Sequence, residues 1–337
     1  MNVRDESGKK TDWWFIYKMP VHVGGKENIG GDYLYYDEDS SSLKLSRFSL
    51  AKKEGALYHT LDEIFKGVSK DQGFIIYNDE NPDGDRDQQW RGHCKGILCF
   101  NKKEDSGLIL LHSVPRFPFK GELDLPANEL KYGQTFLCIE LSGYEVAEKI
   151  AYQMLHQQDP EVNVKDSYLP EGILPTEALY KLYHESDVKE IKEPSIVKFK
   201  SKKGKDFQLI AKSKVWHDDF WVDLVSPTLK VDMDVESWRR GPVTASQDDE
   251  SSEDVKDVME VDLEKLHLKG YRWKYTQDHS KWGITAQEDV KKGKWVCIAD
   301  INRMISQEKR GGGGICFLEP NLWDALIQIV PILQEEN

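Results

Sequence analysis

Two apolar ribbons in this chain each begin on a histidine and a lysine two residues apart, and that repeated arrangement constrains the fold more than any other feature. In an extended strand, residues i and i+2 project to one face, so His-x-Lys sets an imidazole beside an ammonium group. After His93 and Lys95 come a strand-like run, Gly96 to Phe100, a polar turn centred near Glu104, and a returning run, Leu108 to Val114, whose end carries His112 and Ser113. Folding about residue 104 sets position 93 opposite about position 115. After His279 and Lys281 the pattern recurs, with Trp282 to Thr285, a turn near Val290 and Trp295 to Ile301. Position 279 then lies opposite about 301, between Asp300 and Asn302. Each hairpin gathers polar groups at one end of an apolar ribbon, where strand ends hold a site on a rigid scaffold.

A lone His-x-Lys carries little information, because nine histidines and 36 lysines in 337 residues supply about one by chance. The chain has a third, His267/Lys269, but it ends at Gly270 with no returning strand and is set aside. The chosen pair gains weight from what precedes it. Two hydrophobic openings, Asp12 to Pro20 (DWWFIYKMP) and Asp206 to Trp216 (DFQLIAKSKVW), are both rich in strand formers. Trp13 stands 80 residues before His93, and Phe207 stands 72 before His279, a spacing that suggests an old duplication. Gly73 to Tyr77 and Phe136 to Leu141 read as buried strands, and Ser142 to Gln157 has helical spacing. The proline-marked stretch Gln158 to Pro194, helical around Pro175 to His184, is the expected connection. It divides the chain into an N-terminal module, 1–160, and a C-terminal module, 161–337, each with one hairpin. Ser237 to Asp257 reads as an acidic loop, and Arg310 to Gly314 (RGGGG) as a turn, since no helix follows it to make a phosphate cradle.

The length allows one large core or two modules of about 150 residues. No apolar stretch approaches twenty residues and the N-terminus lacks a leader's apolar run, so no membrane partner is expected. The default location is cytosolic, or secreted or lysosome-like if a leader has been removed. Five cysteines without a CxxC pair argue against a Cys-rich metal site. A ligand set of His93, Cys94, His112 and His279 fails because strand alternation turns Cys94 away from His93. The formal net charge of −13 opposes nucleic-acid binding over long range. Local distribution can overrule it: Lys192 to Lys214 holds eight lysines against Glu193 and Asp206, although such runs are usually solvated surface.

The runs RGHCKG (Arg91 to Gly96), LLHSVPRFP (Leu110 to Pro118), KYGQTFLC (Lys131 to Cys138), DHSKW (Asp278 to Trp282), DINR (Asp300 to Arg303) and RGGGG resemble the deoxyribonuclease II family. The opening DWWFIYKMP and IIYND (Ile75 to Asp79) resemble it too, so the likeness runs in order over nearly the whole chain and is thinnest from 156 to 265. That family is similar to the phospholipase D superfamily. The resemblance implies an α/β fold of two phospholipase D-like modules, each a mixed sheet flanked by helices, related by a pseudo-twofold that joins both motifs in one site. The chain departs from the superfamily pattern in having Phe100 and Ala286, not Asp, five residues after each motif lysine, so something else must orient the imidazoles. Cys297 and Cys316 lie at positions of the family's motifs where they could pair in an oxidising compartment.

Cleaving a phosphodiester needs an in-line nucleophile, a proton for the leaving oxygen and cations for the non-bridging oxygens. Facing His-x-Lys motifs supply all three without metal or cofactor. By similarity, His279 is expected to attack and form a phosphohistidine, and His93 to donate the proton and later activate water, leaving a 3′-phosphate at acid pH. Lys95 and Lys281 would neutralise the phosphate. His112, Ser113 and Asn302 would bind it or orient an imidazole. The expected partner is duplex DNA, read with little sequence preference, and a homodimer clamping the duplex fits the family's example. The competing readings are a phosphodiesterase of the same fold acting on lipid or small diesters, and an inactive DNA-binding relative.

Overall fold

The computed structural model describes residues 1–66, 69–80, 91–118, 123–244 and 253–334. Two sheets dominate it. The first contains β1 (Trp13–Lys18), β2 (Tyr33–Asp37), β3 (Lys44–Leu45), β4 (Gln72–Asn78), β5 (Lys95–Asn101), β6 (Ser106–His112) and β7 (Gln134–Leu141), in the order β3-β2-β1-β7-β6-β5-β4. The second contains β8 (Ser195–Lys200), β9 (Asp206–Lys212), β10 (Met233–Ser237), β11 (Val255–Asp262), β12 (Arg272–Lys274), β13 (Lys281–Thr285), β14 (Trp295–Ala299) and β15 (Gly312–Leu318), in the order β8-β9-β15-β14-β13-β10-β11-β12; β16 (Ile332–Leu333) also pairs with β11. The first sheet is antiparallel throughout, and β10 and β11 form the parallel pair of the second. Among the described residues five α-helices flank them: α1 (Ala56–Phe65), α2 (Tyr144–Gln153), α3 (Ala178–Tyr183), α4 (Ser226–Leu229) and α5 (Pro320–Leu326). The fold is mixed α/β as expected. Among the described residues no helix is long and apolar enough to cross a membrane.

The two hydrophobic openings become β1 and β9, and they occupy the same place. In the first sheet the run β1-β7-β6-β5-β4 goes from opening strand to closing strand, return strand, motif strand and the strand preceding the motif. In the second, β9-β15-β14-β13-β10 repeats that spatial order, all antiparallel, although β11 and β12 intervene in sequence between β10 and the motif. The openings are largely apolar on both sides because both faces of each strand are covered. Trp13, Phe15 and Tyr17 enter the core between the sheets, where Trp13 meets Phe317 at 5.3 Å and Tyr17 meets Trp282 at 6.1 Å. Trp14 and Ile16 turn outward to Leu57, Leu61 and Ile64 of α1. The second sheet buries its outer face, including Val235 and Cys297, against Trp221, Val225 and Leu229.

Register matches the hairpin reading closely. Trp282 pairs with Ile298, which carries position 279 to 301 as expected. Gly96 pairs with Leu111, which carries position 93 to 114, one residue from the expected 115, because the turn is centred between 103 and 104. The connection 158–194 contains α3 and adds bridges from Tyr168 to Phe74 and from Val162 to Tyr77, covering the edge strand β4. Two loop expectations are corrected. Ser237 and Val255 to Asp257 belong to β10 and β11, so only the part between is loop, and residues 245–252 of it lie outside the described residues. Gly312 to Gly314 are not a turn but the start of β15. Glycine is needed there for close approach: a Cβ on Gly313 would sit 2.7 Å from Ile210 O, and one on Gly314 2.7 Å from Ala299 Cβ. Cys297 and Cys316 face each other across β14 and β15 and are joined by a disulfide.

Candidate active site

Each motif lysine is the first residue of its strand, and each histidine stands two residues earlier on the incoming loop. All four residues are buried. Each histidine is fixed by the opposite half of the chain. The His93 N–H donates to Gly311 O (2.8 Å), and its Nδ1 lies 2.6 Å from Asp300 O. A carbonyl only accepts, so Nδ1 carries the hydrogen and Nε2 is left for chemistry. The His279 N–H donates to Gly133 O (2.9 Å), and its Nδ1 lies 3.2 Å from Glu129 Oε2. Glu129 also accepts from Gln134 Nε2 (3.1 Å). Tyr132 stacks on the His279 ring at 3.8 Å, and Trp238 approaches at 4.4 Å. His279 Nε2 is buried without a protein partner.

The lysines differ. Lys95 is ion-paired with Asp79, whose other oxygen accepts from Arg310 (3.1 Å) and lies 3.5 Å from His93 Nε2. Arg310 donates as well to the carbonyls of Arg91 and Gly92, so a side chain of the second half clamps the loop that carries His93. Lys281 has no carboxylate within ion-pair distance among the described residues, and its Nζ donates to His279 O (2.9 Å). Burial and then the Lys95 charge push its pKa down to about 7, against the pull of Asp79 and Asp300. Burial, then Lys95, Arg310 and Lys281, drives His93 well below the ordinary histidine range, with Asp79 opposing. Burial also lowers His279, aided by Lys281 and opposed by Glu129. Burial alone would raise Asp79, but Lys95, His93 and Arg310 outweigh it and hold that carboxyl far below its ordinary value. Lys95 and Lys281 thus lie within each other's electrostatic reach.

The three expected binding residues separate. His112 continues the register opposite Lys95 and shares its face. Its Nδ1 accepts from Val114 N–H (3.2 Å), which leaves Nε2–H buried and unpartnered. Burial and the two motif lysines hold its pKa down to about 3, so it stays neutral. Asn302, just beyond β14, keeps a buried Oδ1 without a partner. Ser113 is otherwise engaged: its hydroxyl donates to Gln134 Oε1 (2.5 Å) and accepts from Thr135 N–H (3.0 Å), at the far end of a relay through Gln134 and Glu129 to His279. His267 and Lys269 are exposed on a turn. Sequence reasoning missed Asp79, Glu129, Tyr132, Trp238 and Arg310 as members of the site. Asp79, Tyr132 and Arg310 stood inside quoted motifs; Glu129 had no signal.

Opposite Trp282, Glu236 on β10 is fully buried with neither carboxyl oxygen hydrogen-bonded, near Asp278. Burial and the charges of Asp278 and Asp257 raise its pKa well above the usual carboxyl value, with Arg239 opposing. A group with a raised folded-state pKa stabilises fully below its unfolded pKa of about 4, and that stability is lost as pH rises through the folded value. Glu236→Gln is therefore expected to raise stability at pH 7.5 by about 1–3 kcal/mol and to change it little at pH 4. Urea unfolding at the two pH values measures this, and equal shifts at both would exclude an ionising Glu236 as the cause.

With histidines and lysines meeting at the junction of two sheets, the chain falls in the hydrolase class. More narrowly, it belongs to the deoxyribonuclease II family, whose family model matches residues 2–335. It is 42% identical to a putative deoxyribonuclease-2 of Burkholderia pseudomallei over 97% of this chain and 93% of that one. It is 31% identical to plancitoxin-1 of Acanthaster planci, covering 97% and 90%, and 29% identical to deoxyribonuclease-2-alpha of Mus musculus, covering 96% and 90%.

Proposed function

We propose that the chain is an endonuclease that hydrolyses DNA phosphodiester bonds in one composite site, at acid pH and without a metal ion, through a phosphohistidine. The observation that carries this reading is the reciprocal fixing of both Nδ1 atoms by opposite halves, which leaves two Nε2 atoms for the reaction. His279, oriented by Glu129, attacks phosphorus through Nε2 as the bond to the 5′-oxygen breaks. His93 gives that oxygen its proton, being flanked by two acceptors, Asp300 O and Asp79, that favour its imidazolium. Water then attacks phosphorus, losing a proton to His93, and the P–N bond breaks to release a 3′-phosphate and restore His279. Lys95 and Lys281 hold the non-bridging oxygens, and His112 adds an Nε2–H donor. Free of substrate, the cations push His93 toward neutrality; the phosphodiester's own charge offsets them. The two-module reading, 1–160 and 161–337 about a pseudo-twofold, belongs to the same proposal, supported by the repeated order of five strands. The homodimeric clamp rests on the resemblance alone.

The rate should follow a bell in pH, because one histidine must be neutral and the other protonated, and its limbs describe the coupled pair. Burial lowers both, which centres the bell below neutrality. The test is cleavage of plasmid DNA at about pH 5 in excess EDTA, beside phosphatidylcholine as an alternative diester. Cleavage of DNA alone is expected. Loss in EDTA with recovery on adding a divalent ion would end the phosphohistidine scheme, and preferential lipid hydrolysis would move the substrate class.

A further inference from the structure

The two aromatic rings that hold His279 each also carry a cation. Arg240 lies with its guanidinium carbon 4.4 Å from the Trp238 ring centre, and Lys131 Nζ lies 5.0 Å from that of Tyr132. Arg240 and Lys131 are exposed, while Tyr132 and Trp238 are half-buried, so each ring links the buried imidazole to a cation at the surface. One cation comes from the loop before β7 and the other from the loop after β10, so the two cations stand on opposite halves of the chain.

Among the described residues, no acceptor takes a hydrogen bond from the side chain of Arg240 or Lys131, and no carboxylate lies within ion-pair distance of either. The neighbouring Arg239 makes the contrast: it donates to Ser237 O and Val258 O and pairs with Asp257. The lysine-rich hairpin of β8 and β9 is largely committed too, Lys200 to Asp206, Lys203 to Glu38 and Lys205 to Glu319. Lys212 within it is buried and donates to the carbonyls of Glu308 and Arg310. Stacking occupies the face of a guanidinium and leaves its in-plane N–H donors free, so Trp238 holds Arg240 in place without consuming what binds phosphate. A cation fixed beforehand loses less freedom on binding than a mobile one.

We propose that Arg240 and Lys131 are the contacts for the phosphates flanking the scissile one, on opposite sides of it. This rests on the nuclease reading of the same site and deepens it: the pair engages only a diester that continues in both directions, which selects a polynucleotide over a small diester. Such contacts are read without regard to base. They also offset, at the cleft, the repulsion of an acidic chain.

The test is the salt dependence of cleavage of a duplex oligonucleotide by the full chain at about pH 5, over roughly 50 to 200 mM salt. Each lost phosphate contact should make the slope of log(1/KM) against log salt shallower by about 1. Arg240→Gln and Lys131→Gln should each show that change, with KM raised about fivefold at low salt and kcat within about twofold, and the double variant should lose about 2 from the slope. Arg240→Lys should regain most of the slope, which a purely structural role of the guanidinium would not allow. Wild-type slopes in both single variants would overturn the proposal while leaving the nuclease intact. A wild-type chain that fails to cleave the duplex would bring down the nuclease reading and this one together.

Discussion

Replacing His93 or His279 with alanine is expected to remove DNA cleavage, by about 10⁴-fold or more, while the protein remains folded. The magnitude follows from dependence rather than addition. In the proposed scheme, loss of His279 removes the nitrogen that takes the phosphoryl group, and loss of His93 leaves the departing 5′-oxygen unprotonated. Residues that act as one unit lose nearly everything on the first deletion, so the double variant should be little worse than either single one. Neither ring belongs to the apolar clusters of the core, which is why the fold should survive. His267→Ala, on its exposed turn, is the matched control and should cleave normally. Plasmid nicking, with far-ultraviolet circular dichroism to confirm folding, measures all four proteins. A folded His93 or His279 variant with wild-type nicking would remove the composite site.

Asp79→Ala should have the largest effect on stability, lowering it by about 3–5 kcal/mol, because it leaves Lys95 and Arg310 buried together without their shared carboxylate. Activity should fall with it, since the same carboxylate faces His93 Nε2. The pH dependence is opposite in sign to that of Glu236. A carboxyl whose folded-state pKa is depressed contributes stability above its unfolded pKa of about 4 and loses it as pH falls through the depressed value. At pH 5 the contribution is intact, so urea unfolding at that pH should show the whole loss. An unchanged midpoint there would mean that Lys95 finds another partner.

Strand alternation and turn composition made the two hairpins legible, because both ribbons are apolar on both faces and their turns are polar and short. Position 279 could be placed opposite 301 by counting alone. The RGGGG run was misread because sequence records the absence of side chains but not the reason, here the approach of β9 and β14 from either side. The groups that orient the imidazoles were beyond any local pattern: His93 and Asp300 are 207 positions apart and meet only because two sheets face each other. Glu129 shares no element with His279, and its neighbours in sequence give no sign of the contact. The same holds for Arg310, whose partners Asp79, Arg91 and Gly92 all belong to the other half. Sequence singled out the two His-x-Lys motifs; the exchange of supports between halves emerged only from the fold.

That exchange sets the timing of activity during synthesis. A growing chain has made every strand of the first sheet, with Lys95 in it and His93 on the loop before it, while Asp300, Arg310 and Gly311 are still unmade. Until those residues arrive and β15 docks, the first imidazole has no carbonyl to fix its tautomer and its loop has no clamp. On the proposed composite site, truncated and unfinished copies would be chemically silent, and a cell that makes this nuclease would meet its chemistry only in finished molecules.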